Sequence, residues 1–278
     1  MVHYRHRYHA GNFADVFKHL LLVGLLGALN RKDKPWCFVD THAGAGCYDL
    51  GDAAASATEE WRGGIGRIAD EQAAPAIAET YLGLVRAANR SGELRTYPGS
   101  PQIALALARP GDRVIACESV DEVAETLKQN LRGDARVAIH RRNGYEAAAL
   151  LPPAEKRGLV LIDPPFERGD ELDAIAELLN KAAARFAGGI YAAWYPVKNA
   201  HAAARFVRRV PRETARAALN FTFDNGAPAA GNLHACGLLV VNPPFGFGES
   251  AHTALAWLAP LLAQGPTAAF SIAESGPD

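Results

Sequence analysis

The sequence of 278 residues lacks the features that mark membrane, secreted and zinc-stabilised proteins. It has no uncharged apolar run of the ~18–20 residues that a membrane-spanning helix requires. Its N-terminal segment is basic and rich in histidine, whereas a secretion signal has an apolar centre. The four cysteines form no CxxC pair, so structural zinc is not expected. We therefore expect a cytoplasmic protein that needs no membrane and no metal.

The sequence also lacks an excess of positive charge, since its net charge is −1. This balance argues against a protein that binds nucleic acid over its whole surface. The cations nevertheless concentrate in three segments, residues 1–34, 136–142 and 201–216. Local basic patches on a neutral protein fit phosphate contact at a defined surface. For residues 201–216, an ordinary solvated helix face is an equally good explanation.

The alternation of strand-like and helix-like segments predicts a single α/β domain over residues 1–278. Residues 50–98 interrupt this alternation with helical patterns, which predicts a small inserted helical subdomain. The strand-like segments 215–224 and 236–241 follow each other directly, so the sheet should end in an antiparallel pair. We predict a mostly parallel seven-stranded sheet with an antiparallel last strand, the arrangement typical of class I (Rossmann-like) methyltransferases. The tail from residue 265 onward has no clear pattern.

The most informative motif is Asp163-Pro164-Pro165-Phe166, which follows the apolar strand-like run 158–162. The end of such a strand is where open α/β sheets bind ligands. The prolines stiffen the turn, so the Asp163 carboxylate and the proline carbonyls become fixed acceptors beside the flat ring of Phe166. This arrangement suits a planar base with an exocyclic amine. The tetrapeptide is similar to the one in adenine-N6 and cytosine-N4 methyltransferases, and we predict that it is the catalytic motif.

A second copy of the tetrapeptide, Asn242-Pro243-Pro244-Phe245, follows the last strand-like run, 237–241. If that strand is antiparallel, its end lies at the edge of the sheet away from the cofactor crevice. We therefore interpret the second copy as a strand terminator.

Polar and glycine-rich positions at the ends of the other strands predict a site for a nucleoside cofactor. The loop 40–46, which includes Gly44, would approach the amino-acid end of S-adenosylmethionine. Glu118 ends the second strand and could accept both ribose hydroxyls. Asn143 follows the third strand and could accept from the adenine amine, while Ser100 is expected to cap a helix that faces the crevice. Turns and caps explain each feature alone, but their occurrence at successive strand ends favours the cofactor.

The N-terminal segment 1–11 interleaves aromatic residues with cations and precedes the predicted fold. This composition suits stacking on exposed bases and contact with phosphates. We predict that the segment contacts the RNA substrate through Tyr4, Arg5, His6 and Arg7. A tail without a partner remains the alternative.

Six blocks of the sequence resemble the ribosomal RNA large-subunit methyltransferase J family almost from end to end. The blocks are YRHRYHAGNFADVFKH (4–19), DKPWCFVDTHAGAG (33–46), NRSGELRTYPGSP (89–101), RGLVLIDPPFE (157–167), GIYAAWYPV (189–197) and GLLVVNPPF (237–245). The resemblance implies a class I fold and S-adenosylmethionine-dependent methylation of adenine N6 in 23S ribosomal RNA. It implies cofactor contacts at His19, His42, Ser100, Glu118, Asn143, Gly144 and Asp163. It also makes Asp163 the catalytic position and Tyr4 the tyrosine that contacts the substrate.

Two positions depart from the family pattern. Asn143 stands where Asp is common, which keeps a carbonyl acceptor and loses a charge, and Phe166 replaces the usual Tyr. We expect a monomer that acts on 23S ribosomal RNA before the ribosome is fully assembled. The alternatives are a DNA adenine-N6 methyltransferase and a non-catalytic factor in the use of external DNA.

Overall fold

The computed structural model describes residues 8–228 and 233–276. The helices within these ranges are α1 (Phe13–Asn30), α2 (Ala53–Thr58), α3 (Ala76–Ala88), α4 (Ser100–Leu107), α5 (Asp121–Asn130), α6 (Glu171–Arg185), α7 (Ala200–Thr214) and α8 (Phe247–Leu262). The strands are β1 (Cys37–Asp40), β2 (Cys47–Asp49), β3 (Thr96–Pro98), β4 (Arg113–Glu118), β5 (Val137–Arg141), β6 (Gly158–Ile162), β7 (Ile190–Pro196), β8 (Ala218–Asp224), β9 (Ala235–Val241) and β10 (Ala269–Ser275).

In the described part of the chain, eight strands form one sheet in the order β10-β8-β9-β7-β6-β1-β4-β5. The five strands from β7 to β5 are parallel to one another. β9 lies between β7 and β8 and runs antiparallel to both. This topology confirms the class I methyltransferase fold. Because β7 and β6 are parallel to β1 and β4, their carboxyl ends meet at one edge of the sheet, where a ligand site is expected.

The eighth strand, β10, extends the sheet beyond the seven strands that the sequence predicted. It pairs antiparallel with β8, from Ala269 opposite Asp224 to Ser275 opposite Ala218. Its residues are exposed or half-buried throughout. Its alternation is limited to two large apolar residues, Phe270 and Ile272, which pack against the core, and so short a pattern did not mark the tail as a strand.

Two layers of helices bury the faces of the sheet. α1, α3, α4 and α8 share one core, and α6 and α7 cover the other face. α1 is long and apolar enough to cross a membrane by length and composition, but 78% of its apolar window is buried inside the protein. Asn12 caps α1, since its side chain accepts from the backbone N–H groups of Ala14 and Asp15.

Residues 50–98 contain less regular helix than the sequence predicted. α3 is a full helix of 13 residues, but α2 has six residues and two 3₁₀ turns follow it, Glu60–Gly63 and Ile65–Arg67. Buried side chains of this segment, including Ile65 and Tyr81, belong to the same core as α1. The division of the chain into a domain and an inserted subdomain stays a prediction.

Candidate active site

A cleft of about 1940 Å³ opens at the carboxyl ends of β1, β4, β6 and β7. It is large enough for a nucleoside cofactor together with a second ligand. Nine of the residues singled out in the sequence line it: His19, His42, Gly44, Ser100, Glu118, Asp163, Pro164, Pro165 and Phe166. These positions span 148 residues of sequence (19 to 166), so the fold brings them together.

Asp163 is fixed at the end of β6 by a buried lysine. Oδ2 of Asp163 accepts from Nζ of Lys18 at 2.5 Å, and the same ammonium donates to Oδ1 of Asp15 at 2.8 Å. Burial alone would lower the pKa of Lys18, but the two carboxylates outweigh burial and raise this pKa well above its usual value. Among the described residues, Oδ1 of Asp163 accepts no hydrogen bond, so one charged acceptor is left for a ligand in the cleft.

No role was predicted for Lys18 and Asp15, because the segment that forms α1 is otherwise almost entirely apolar. Both side chains are only 4% exposed. The available signal was a pair of opposite charges three residues apart in a helix whose other residues are almost all apolar. Such a helix is buried on most sides, and a charge inside it needs a partner from elsewhere in the fold.

Phe166 and Trp194 form an aromatic wall of the cleft beside Asp163. Their rings meet edge to face, with centroids 5.5 Å apart and planes at 74°. Phe166 has a φ of 53°, an unfavourable conformation for an aromatic residue. The conformation is typical of strained functional turns and directs the ring toward the cleft. Trp194 was not among the predicted site residues, since it appeared to be one more apolar position of β7.

The glycine loop after β1 is tied to the carboxylate of Glu118. The backbone N–H of Gly44 donates to Oε2 of Glu118 at 3.1 Å, and that of Val120 donates to Oε1 at 2.9 Å. Gly44 has a φ of 61°, and a Cβ there would lie 2.3 Å from the Tyr48 hydroxyl. Glycine is therefore required, because it allows the turn that brings the loop against the end of β4.

Asp40, the last residue of β1, is a fully buried carboxyl behind the residues that line the cleft. Its Oδ2 accepts from the Ser100 hydroxyl at 2.6 Å, and its Oδ1 accepts from the backbone N–H of His42 at 3.3 Å. Burial and the nearby Asp163 raise the pKa of Asp40 to about 7, although the Ser100 hydroxyl opposes the shift. The prediction that Ser100 caps α4 is wrong: Gly99 is the N-cap, and the Ser100 hydroxyl donates to Asp40 instead.

Asn143 and Gly144 lie beside the cleft rather than in its lining. Oδ1 of Asn143 accepts from the backbone N–H of Tyr145 at 3.1 Å and so begins a 3₁₀ helix. Gly144 packs against the loop after β1, where a Cβ would lie 2.7 Å from the His42 ring. The His42 ring contacts Tyr145 edge to face at 5.1 Å, and burial lowers the pKa of His42 to about 4. His42 is therefore neutral at pH 7.

His19 enters the cleft wall from α1 and is held by a tyrosine pair. Its Nδ1 lies 2.8 Å from the hydroxyl of Tyr97, and the two rings stack with centroids 5.5 Å apart. The Tyr97 hydroxyl lies 3.0 Å from that of Tyr81. The two tyrosines are fully buried, so they fix the orientation of His19 from the side away from the cleft.

The second tetrapeptide lies at the opposite edge of the sheet, as expected for the end of an antiparallel strand. Asn242 donates through Nδ2 to the backbone carbonyls of Ala187 at 3.0 Å and Gly189 at 2.9 Å. Phe245 is 97% exposed and covers no cleft. These contacts tie β9 to the turn before β7, which is a structural role.

Tyr4, Arg5, His6 and Arg7 lie outside the described residues. Residues 8 and 9, which the sequence placed before the fold, are in contact with it. The Tyr8 carbonyl accepts from the Thr58 hydroxyl at 2.5 Å, and Nδ1 of His9 lies 3.0 Å from Glu60. The carboxylate of Glu60 raises the pKa of His9, although burial opposes this effect. His9 lines the cleft, so the chain enters the fold at the cleft rim.

No group of three or more His, Cys, Asp or Glu side chains that could hold a metal ion occurs within residues 8–228 and 233–276.

Comparisons with known proteins give the cleft a family context. Residues 33–272 match the family model described as "Ribosomal RNA large subunit methyltransferase D, RlmJ". The chain is 38% identical over 263 residues to Ribosomal RNA large subunit methyltransferase J of Escherichia coli, covering 93% of each protein. It is 34% identical over 275 residues to the protein of the same name from Haemophilus influenzae, covering 98% of each. A crystal structure of a Legionella pneumophila protein matches 96% of this chain and 98% of its own, with a TM-score of 0.89 and 34% identity.

Proposed function

Since this chain belongs to the RlmJ family of ribosomal RNA large subunit methyltransferases, we propose that its cleft methylates the N6 amine of one adenine in 23S ribosomal RNA, with S-adenosylmethionine as cosubstrate. The observation that carries the proposal is the position of the Asp163-Pro164-Pro165-Phe166 turn. This turn lies at the end of β6 in the same cleft as the glycine loop and Glu118. The proposed site for the target base therefore lies next to the proposed site for the cofactor.

The residues of the turn suit the chemistry of an adenine amine. The lone pair of N6 is delocalised into the ring, so the amine is a poor nucleophile until its hydrogens are held out of the ring plane. Oδ1 of Asp163 and the carbonyl of Pro164 are acceptors for these two hydrogens, while Phe166 offers a face for stacking. The methylated nitrogen then releases one proton, for which Asp163 is the adjacent base.

Lys18 keeps Asp163 ready for this role. Its ammonium holds one oxygen of Asp163, so the carboxylate cannot rotate freely beside the base. The Lys18 charge is balanced by Asp15 as well, which limits the attraction of Lys18 for other anions in the cleft.

The residues of the cleft fit the cofactor at three points. Glu118, already tied to the glycine loop, is placed to accept from ribose hydroxyls. Ser100 lines the cleft and donates its hydroxyl hydrogen to the buried Asp40, which leaves the hydroxyl oxygen to accept from a charged amino group. The neutral His42 lines the cleft and offers an uncharged flat ring to the cofactor's adenine, and we propose that Asn143 and Gly144, just outside the lining, complete the adenine site. When bound, S-adenosylmethionine would supply an electrophilic methyl group on its sulfonium.

The target adenine has to leave its stack to reach the turn. We propose that Tyr4 stacks on it or on a neighbouring base and that Arg5, His6 and Arg7 contact the surrounding RNA. His9 supports this proposal, because it brings the N-terminal segment to the rim of the cleft. Such a base is most accessible before the ribosome is fully assembled, and we propose that the enzyme acts then, as a monomer.

A methyl-transfer assay tests the proposal against its alternatives. Purified protein and labelled S-adenosylmethionine are incubated with unmodified 23S ribosomal RNA fragments, with the same fragments already methylated, and with duplex DNA. We expect transfer to the unmodified RNA alone. Transfer to DNA but not RNA would favour the DNA adenine methyltransferase, and no transfer to any substrate would favour the non-catalytic role.

A further inference from the structure

Helix α7 exposes a row of basic side chains that the proposed reaction does not use. His201, Arg205, Arg208 and Arg212 are all exposed and follow one another at intervals of four, three and four residues. These intervals place them on one face of an α-helix. The opposite face, which includes Ala203, Phe206 and Val210, is buried. We call Arg205, Arg208 and Arg212 the α7 arginine row.

The arginine row has no carboxylate partners within residues 8–228 and 233–276. Arg209 of the same helix, by contrast, donates to Asp173 at 2.7 Å and to Glu213 at 2.5 Å. Neighbouring like charges on a helix repel one another, so a row of this kind carries a small cost in the free protein. A polyanion that lies along the helix would remove this cost.

A second basic cluster that the sequence indicated, residues 136–142, is largely engaged. Arg136 lies 2.6 Å from Asp134, and Arg141 lies 3.1 Å from Glu125 and 3.4 Å from Asp121. These cations are neutralised by the protein itself, so they are poorer candidates for phosphate contact than the arginine row.

The helix that carries the arginine row begins next to the cleft. β7 ends at the cleft, Lys198 lines the cleft, and Asn199 caps α7 through its contact with the N–H of Ala202 at 3.0 Å. From Ala200 to Arg212 the helix rises about 18 Å, at ~1.5 Å per residue. The arginines therefore extend from near the rim of the cleft away from the site of methyl transfer.

We infer that the α7 arginine row binds the sugar-phosphate backbone of the RNA helix that flanks the target adenine, an inference that rests on the proposed function. Arginine suits this partner, because its guanidinium binds phosphate oxygens through two parallel N–H groups. An A-form helix presents mainly phosphates and 2′-hydroxyls to such a surface, so the contact orients the RNA without reading its sequence. The row holds the stem while the extruded base lies in the cleft.

The test compares two triple variants that remove the same charge. One is Arg205→Gln/Arg208→Gln/Arg212→Gln, and the control is Arg86→Gln/Arg141→Gln/Arg209→Gln, whose arginines have carboxylate partners. For a 23S ribosomal RNA hairpin, the KM of the row variant should be raised by ~10-fold or more at 150 mM salt. The slope of log binding affinity against log salt concentration should be smaller in magnitude by about 2–3. The kcat at saturating RNA and the affinity for S-adenosylmethionine should stay at wild-type values. The control should match the wild type in all four quantities.

Shortening the stem of the hairpin gives the second arm. If the row holds the stem, each removed segment should reduce the difference in affinity between wild type and row variant until the two bind equally. A row variant with unchanged KM and salt slope, or a difference that does not depend on stem length, overturns the inference. If the wild type binds but does not methylate the hairpin, the proposed function fails, while the binding measurements still decide the role of the row.

Discussion

The substitution Asp163→Asn removes the charge from the cleft carboxyl while it keeps the size of the side chain and one carbonyl acceptor. In the wild type, Oδ2 of Asp163 accepts from Lys18 at 2.5 Å, and Lys18 also donates to Asp15 at 2.8 Å. The variant therefore leaves Lys18 with one carboxylate. Breaking a buried ion pair outright costs about 3–5 kcal/mol, but here we expect no more than the ~1.5–3 kcal/mol of one charged hydrogen bond.

The effect of Asp163→Asn on the reaction should be larger than its effect on the fold. Loss of one preorganised charged acceptor lowers the rate by ~10²–10³, equivalent to about 2.7–4 kcal/mol. Because Asp163 is also a proposed cofactor contact, the rate is measured as single-turnover methyl transfer at saturating S-adenosylmethionine with enzyme in excess over the RNA fragment. Denaturant unfolding of the same preparation measures the loss of stability.

The second tetrapeptide provides the control for Asp163→Asn. Asn242→Ala removes the two hydrogen bonds to the turn before β7 and leaves the cleft unchanged, so it should lower stability and retain most activity. Turnover of Asp163→Asn within a few-fold of the wild type would refute the assignment of the carboxylate. A folded but inactive Asn242→Ala protein would show that the wrong copy had been chosen.

Three further predictions concern the cofactor, pH and the RNA. Glu118→Ala should weaken the binding of S-adenosylmethionine by about 1.5–3 kcal/mol, and unchanged affinity in calorimetric titration would remove Glu118 from the site. The pKa of Asp40 is raised from 3.8 to about 7 in the fold, so its stabilising contribution is complete below pH 4 and is lost as the pH rises through 7. Denaturant unfolding without cofactor should therefore show Asp40→Asn gaining stability relative to the wild type from pH 5 to pH 8, and a constant difference would contradict this. Tyr4→Ala should weaken RNA binding by the ~1–3 kcal/mol of one stacking contact, and so lower kcat/KM for the RNA, while cofactor affinity stays unchanged. A wild-type kcat/KM would show that the segment is a passive tail.

The sequence predicted the central part of the fold because buried parallel strands are continuous apolar runs. The segment 158–162 was predicted with the observed bounds, and the strand-like segments 36–40 and 113–118 match β1 and β4 to within one residue. Strand ends in turn located the cleft, since the carboxyl ends of neighbouring parallel strands meet. β10 was missed because its apolar alternation is limited to two large residues, Phe270 and Ile272.

Contacts between distant residues were the part of the site that the sequence could not supply. Lys18 and Asp163 are 145 positions apart, and nothing in either segment indicates that α1 crosses the end of β6. The hydrogen bond from Ser100 to Asp40 also joins distant residues and was not predicted. A serine before a proline fits an ordinary helix cap, so no other partner was expected from the sequence. Trp194 was missed because an aromatic residue inside a strand is more often a core residue than the wall of a cleft.

The most direct test of the central claim is the identity of the modified nucleoside. Unmodified 23S ribosomal RNA fragments are incubated with S-adenosylmethionine and either the wild type or Asp163→Asn, digested to nucleosides and analysed by mass spectrometry. The account predicts one N6-methyladenosine per fragment with the wild type and a rate lower by ~10²–10³ with the variant. A methyl group on another atom or another nucleoside, or equal yields from both proteins at early times, would contradict it.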